Sequence, residues 1–216
     1  MTNRYRSVFD IIGPVMIGPS SSHTAGAVAI GHVANRLLHA PIQEVVVRYF
    51  ESFAQTHRGH GTDYAIISGV LGFDPADRRV PMAVDLARRL GIKIKFIEDQ
   101  HLSPIGHPNT AAVTLINAEK EITVWGCSVG GGTIEIRKVD LNGLVFAPQG
   151  PLPILFVTAN QPIGAALDQL FAANYRRPRV THRLADHYIY QLDLLDRPFP
   201  EQLIQARGMS QDAILL

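Results

Sequence analysis

The stretch Gly18-Pro19-Ser20-Ser21-Ser22-His23-Thr24-Ala25-Gly26 gathers hydroxyls and an imidazole just ahead of an apolar helical pattern. A helix N-terminus leaves amide N–H groups without intrahelical partners and carries partial positive charge. Ser20, Ser21, Ser22 and Thr24 could add hydrogen bonds to a carboxylate there, which makes the corner a candidate anion site. The serines serve equally well as plain helix caps, and it is His23 at the same corner that favours a functional reading. A second stretch, Thr56-His57-Arg58-Gly59-His60-Gly61-Thr62-Asp63, sets His60 between glycines, so a ligand can come close to the backbone. Thr62 or Asp63 suits the cap of the next helix. His57 and His60 have the spacing of a zinc pair on a helix. Gly59 and Gly61 argue for a loop instead, and with no acidic or cysteine third ligand identified nearby, no metal site is expected.

In Gly106-His107-Pro108-Asn109-Thr110, Pro108 biases His107 away from helix. Asn109 at the mouth of a strand can donate and accept together, which suits an amino-acid ligand, although Pro-Asn is also ordinary turn chemistry. Gly130-Gly131-Gly132 could admit a ligand or simply form a bulged hairpin. Taken together these segments supply hydroxyls, histidines, an amide and a helix N-terminus, with no acidic cluster. That set suits a small zwitterion bearing a hydroxyl. It does not suit a nucleotide, since no Walker or dinucleotide glycine pattern follows a strand.

The elements that must position these residues follow from periodicity. Strands are expected at Ser7 to Ile12, Glu44 to Phe50, Ile92 to Glu98, Thr110 to Asn117, Ile122 to Cys127 and Thr133 to Val139. Helices are expected at His23 to Leu38, Thr62 to Leu71 and Met82 to Leu90, the last stopped by Gly91. A boundary falls near Pro148-Gln149-Gly150-Pro151, giving domains of 1–147 and 152–216. Beyond it the pattern restarts: strand at Ile154 to Thr158, helix at Gly164 to Asn174, strands at Arg179 to Ala185 and Tyr188 to Leu194, helix at Pro200 to Ala206, strand at Ala213 to Leu216. This is βαββαβ, a ferredoxin-like order, and the whole is an α+β chain.

Composition narrows the class. With 216 residues, 46% of them hydrophobic and 18% charged, the chain is globular and needs no disulfide or metal staple. A formal charge of +1 draws neither nucleic acid nor anionic lipid. No signal peptide or membrane span is read, so a cytoplasmic protein is expected. The single cysteine, Cys127, lies in an apolar strand and reads as an inert core thiol. It cannot close a disulfide, a thiolate zinc site or an iron–sulfur cluster within this chain.

The blocks RYRSVFDIIGPVMIGPSSSHTAG, ESFAQTHRGHGTD with GVLGFD, HPNT and CSVGGGTIEI resemble the β chain of bacterial two-subunit L-serine dehydratases, from about Arg4 to Lys138. The resemblance implies an allosteric-substrate-binding-type α/β domain, followed by a region similar to an ACT domain through which self-association is expected. ACT modules often carry a Pro-Gly pair where the first strand meets its helix; here Gln161-Pro162-Ile163-Gly164 interposes an isoleucine. The resemblance further implies a lyase that converts L-serine to pyruvate and ammonia, with a 4Fe–4S cluster held by a partner α subunit. On that footing His23 and His60 are the expected acid–base residues. Ser20, Ser21, Ser22, Thr24, Thr62, His107 and Asn109 are expected to bind substrate, while a base on the α chain is an equal alternative. A non-catalytic amino-acid-sensing subunit is the competing reading. A pyridoxal-phosphate enzyme is disfavoured, because none of Lys93, Lys95, Lys120 and Lys138 precedes a glycine-rich phosphate loop.

Overall fold

The structure, a computed structural model, describes residues 15–216. The strand expected at Ser7 to Ile12 lies outside them. The chain divides into two compact units, 1–147 and 148–216.

The first unit is a six-stranded sheet under helices. Its strands are β1 (Glu44–Phe50), β2 (Lys93–Glu98), β3 (Thr110–Ile116), β4 (Glu121–Gly130), β5 (Thr133–Leu141) and β6 (Leu144–Phe146), in the order β2-β1-β3-β4-β5-β6. β1 and β2 run parallel and the other neighbours antiparallel. Its helices are α1 (Gly26–Leu38), α2 (Glu51–Thr56), α3 (Thr62–Val70) and α4 (Ala83–Arg89). Period-two alternation puts Val45, Val47, Tyr49, Ala111, Val113, Leu115, Ile122 and Val124 on one face, all buried. α1 packs there, against β3, β4 and α3. The other face carries Thr114 hydrogen-bonded to Thr123 at 2.9 Å and the Lys138 ammonium over the Trp125 ring at 4.4 Å.

α1 and α3 cross at two glycines. A Cβ on Gly31 would run into the Ile66 carbonyl oxygen, and one on Gly69 into that of Val28. The helices therefore meet backbone to backbone.

The second unit comprises β7 (Ile154–Ala159), α5 (Gly164–Phe171), β8 (Val180–Arg183), β9 (Tyr188–Asp193), α6 (Pro200–Gly208) and β10 (Asp212–Leu215). Its sheet order is β10-β7-β9-β8, antiparallel throughout. Leu155, Val157, Leu167, Phe171, Tyr190, Leu192 and Ala206 form its core. At the corner before α5 the Arg179 guanidinium lies against Gly164 and pairs with Asp168 at 2.8 Å, so a side chain of the unit itself fills that corner.

The expected elements recur with ends shifted by a few residues, the usual uncertainty of fraying termini. Two went unread. α2 has six residues and starts at Glu51, whose φ of 44° is unusual outside glycine, while β6 has three and carries little pattern. His23 is not the first residue of an α-helix but lies in a π-helical turn, Ser21–Ala25, ahead of α1. Among the described residues no helix is long and apolar enough to cross a membrane.

Gly69→Ala is expected to destabilise the chain by about 1–3 kcal/mol, the usual cost of overpacking a fitted contact. A urea midpoint equal to wild type would show that the helix crossing yields easily.

Candidate functional site

All of the segments singled out from the sequence converge on one end of the first sheet. β1 and β2 end there, β3 begins there, and β4 turns into β5 there through Gly130, Gly131 and Gly132, all at positive φ. The π-turn that leads into α1 packs against the same end of β4 and against α3.

Ser20 caps that turn. Its backbone is extended, its Oγ accepts from the His23 N–H at 3.4 Å, and the same oxygen lies 3.3 Å from His23 Nδ1. Ser21 contributes its carbonyl, which accepts from the Gly26 N–H, and Ser22 is half-buried beside it. The turn is held close on both sides: a Cβ on Gly18 would strike the Thr24 side chain, and one on Gly26 would strike Ser128.

His23 and His60 come together. Their ring centroids are 4.6 Å apart and edge-on, and Phe53 lies 5.0 Å from His23. His60 is exposed, on a turn whose next residue, Gly61, has φ of 70°. Burial, reinforced by the neighbouring His60, holds the His23 pKa below its ordinary 6.5. His23 is therefore neutral near pH 7 and able to accept a proton.

His23 Nε2, Thr24 Oγ1, Thr62 Oγ1 and Ser128 Oγ are buried and make no hydrogen bond among the described residues. Burying a polar group without a partner costs about 1–3 kcal/mol. Four such atoms on the π-turn, the start of α3 and the end of β4 are hard to account for by stability, but they suit a polar ligand.

Asn109 joins this group through Ser128. Its carbonyl accepts from the Ser128 N–H at 3.0 Å, and its Nδ2 lies 3.5 Å from the Ser128 carbonyl. His107 turns back into its own loop, with Nδ1 accepting from the Asn109 N–H at 3.1 Å. That loop is tied to α2, where Glu51 Oε2 accepts from the Ser103 N–H at 3.1 Å and the Pro108 carbonyl accepts from the Phe53 N–H at 3.4 Å.

Two residues escaped the sequence reading. Ser128 stands beside the glycine run, but only the β4 register aims it at Gly26. His57, set aside as a loop histidine without an acidic neighbour, is 3% exposed and bridges Asp63 Oδ1 at 2.6 Å and Glu98 Oε1 at 2.9 Å. Asp63, read only as a helix-start acid, is that neighbour.

A separate open cleft of about 600 Å3 is lined by Glu51, Gln55, His57, Arg58, Glu98, Asp99 and His101, and by none of the expected site residues. Its acids are engaged: Glu98 with His57 and Arg58, and Asp99 with His101 and Arg48. Hydrogen bonds from the His101 backbone and ring hold the Asp99 pKa down to about 2. The histidine–hydroxyl cluster is therefore the better candidate.

No group of three metal-ligating side chains occurs among the described residues. Cys127 is buried, which pushes its thiol pKa up to about 11. A thiol held protonated in the core does not fit a cluster ligand.

The molecule is thus a mixed α/β chain with two sheets and a cluster of histidine and hydroxyl side chains at the end of the first. Residues 7–138 match the family model for the serine dehydratase beta chain, and the chain belongs to that family. It is 49% identical over 162 residues to the probable L-serine dehydratase beta chain of Bacillus subtilis (strain 168), covering 74% of this chain and 71% of that one. It is 39% identical over 146 residues to the L-serine dehydratase beta chain of Peptoniphilus asaccharolyticus, covering 67% and 64%. Against L-serine dehydratase TdcG of Escherichia coli (strain K12) it is 39% identical over 151 residues, 59% of this chain and 33% of the other.

Ser128→Ala and Thr24→Val are expected to leave stability within about 1 kcal/mol of wild type or to raise it, because the hydroxyls removed make no hydrogen bond among the described residues. A larger loss in denaturant unfolding would reveal hidden hydrogen bonds. A pH dependence also follows. Burial lowers the pKa of both His23 and His32 below 6.5. As pH falls through that value the unfolded chain takes up protons before the folded one, so stability is retained above it and declines below it. Urea midpoints at about pH 7.5 and pH 5.5 check this through the ordinary histidine range; equal midpoints would contradict it.

Proposed function

We propose that this chain, assembled with a cluster-bearing α subunit, converts L-serine to pyruvate and ammonia. The observation that carries the reading is the set of buried polar atoms, without a hydrogen-bond partner among the described residues, that accompanies the His23–His60 pair. The beta-chain names of its relatives support a partner and the substrate. Because the residues of this chain do not fit a cluster, the 4Fe–4S group is assigned to the α subunit and no step is routed through it here.

Serine offers a carboxylate, an ammonium, an α-proton and a β-hydroxyl. The amides and hydroxyls at the π-turn, with Thr24, Thr62, Ser128 and Asn109, would hold the zwitterion. His23, neutral near pH 7, and exposed His60 are suited to exchanging the α-proton. Loss of that proton and of the β-hydroxyl releases water and leaves an enamine. The enamine tautomerises to an imine, which water hydrolyses to pyruvate and ammonia.

We further propose that the second unit is an ACT-type module that serves self-association. Its βαββαβ order supports the assignment, and the Arg179–Asp168 pair at the α5 corner argues against an effector bound there.

In the assembled enzyme, His60→Ala is expected to cut kcat by roughly 10²–10⁴-fold, the usual worth of a positioned acid or base. His39→Asn, on an exposed left-handed helix cap, serves as control. Equal kinetics for the two variants would remove His60 from the chemistry, and a rise in KM alone would make it a binding residue. The isolated chain, reconstituted anaerobically with iron and sulfide, should stay colourless and inactive. A stoichiometric cluster with pyruvate formation would sink the division of labour between subunits.

A further inference from the structure

We propose that His57 is a positioning residue, clamped between Asp63 and Glu98 so that the turn between α2 and α3 presents His60 in a fixed place. The proposal rests on reading His60 as a residue of the reaction.

The clamp closes the turn twice. His57 is the C-cap of α2, and its carbonyl accepts from the Thr62 N–H at 2.9 Å, while the His60 N–H donates to the Thr56 carbonyl at 3.0 Å. Across the same gap the His57 ring reaches Asp63, in the first turn of α3, through Nδ1 at 2.6 Å. Its other nitrogen reaches Glu98, at the end of β2, at 2.9 Å. The ring lies flat on Tyr49 of β1, centroids 4.5 Å apart and planes 23° from parallel. Three elements and the sheet thus fix a single imidazole, and His60 hangs from the loop it closes.

Arg58, 2.8 Å from Glu98, pairs with the same carboxylate. What the bridge adds is direction, because an imidazole held at both nitrogens has one orientation. Small displacements of a reacting group lower rates steeply.

Glu98 is the end of the bridge to perturb, because its side chain is 40% exposed and its loss spares the core. In the assembled enzyme, Glu98→Ala is expected to lower kcat for serine by roughly 10–100-fold, the scale on which partners that orient a functional histidine act. KM should hold, because the substrate-binding hydroxyls are untouched. Glu98→Gln keeps a polar group of the same shape in reach of Nε2 and is expected to recover most of the loss. Wild-type kcat in Glu98→Ala, a loss carried by KM, or Gln performing no better than Ala would each overturn the proposal. The clamp is also read without activity. In the full chain labelled with 15N-histidine, the His60 ring signals should shift in Glu98→Ala and return in Glu98→Gln. Identical His60 signals in all three proteins would refute positioning whatever the assay shows. If the wild-type assembly does not turn serine over, it is the dehydratase reading that fails, and the spectra alone decide the clamp.

Discussion

How near α1 can come to α3 and to the end of β4 sets the rest of the first unit. Two glycines at the helix crossing and a third at the start of α1 let backbone meet backbone and let Ser128 tuck beneath the π-turn. A methyl group at Gly31 or Gly69 would meet a backbone carbonyl of the facing helix, and one at Gly26 would meet the Ser128 side chain. Close packing therefore does more than fill volume here, because it sets where α1 and the π-turn stand against α3 and Ser128.

That arrangement runs against the interest of stability. Interiors pair nearly all their polar atoms, yet this end of the sheet buries a ring nitrogen and three hydroxyls that find no partner among the described residues. It also starts α2 at a non-glycine residue with φ of 44°. Violations of local rules gathered in one place, beside an otherwise alternating sheet and a close-packed helix crossing, are where function is expected to outweigh stability. Glu51 shows how such strain is held. Its carboxylate ties down Ser103, and through that loop it steadies His107 and Asn109.

Much of this was legible in the sequence wherever the signal is local. β1 was read to the residue from its β-branched run, a serine cap from the place of Ser20, Ser21 and Ser22 before an apolar helix, with Ser20 singled out only by the structure, and the turn around His60 from its glycines. The convergence of four segments at one sheet end was not legible, because strand order and direction are tertiary facts. Ser128 becomes a site residue only through register, which alternates it onto the Gly26 side. His57 is the sharper lesson. Its partner Asp63 lies six residues away, but Glu98 lies 41 away. Only the pairing of Tyr49 with Glu98 across parallel strands brings that carboxylate under the ring. Asking which acid stood close in sequence therefore found a loop histidine where the fold makes a bridge.

The two histidines of the candidate site differ in environment. His23 is half-buried against Phe53, with its Nδ1 beside a serine hydroxyl and its Nε2 facing no partner, so its surroundings favour the uncharged ring. His60 is exposed and projects from a clamped turn. Burial, with the His60 ring beside it, disfavours a proton on His23. Under the proposed reaction a neutral ring is the useful one, because it can take the α-proton. Thus the burial that lowers the pKa of His23 and the exposure of His60 beside it belong to one arrangement.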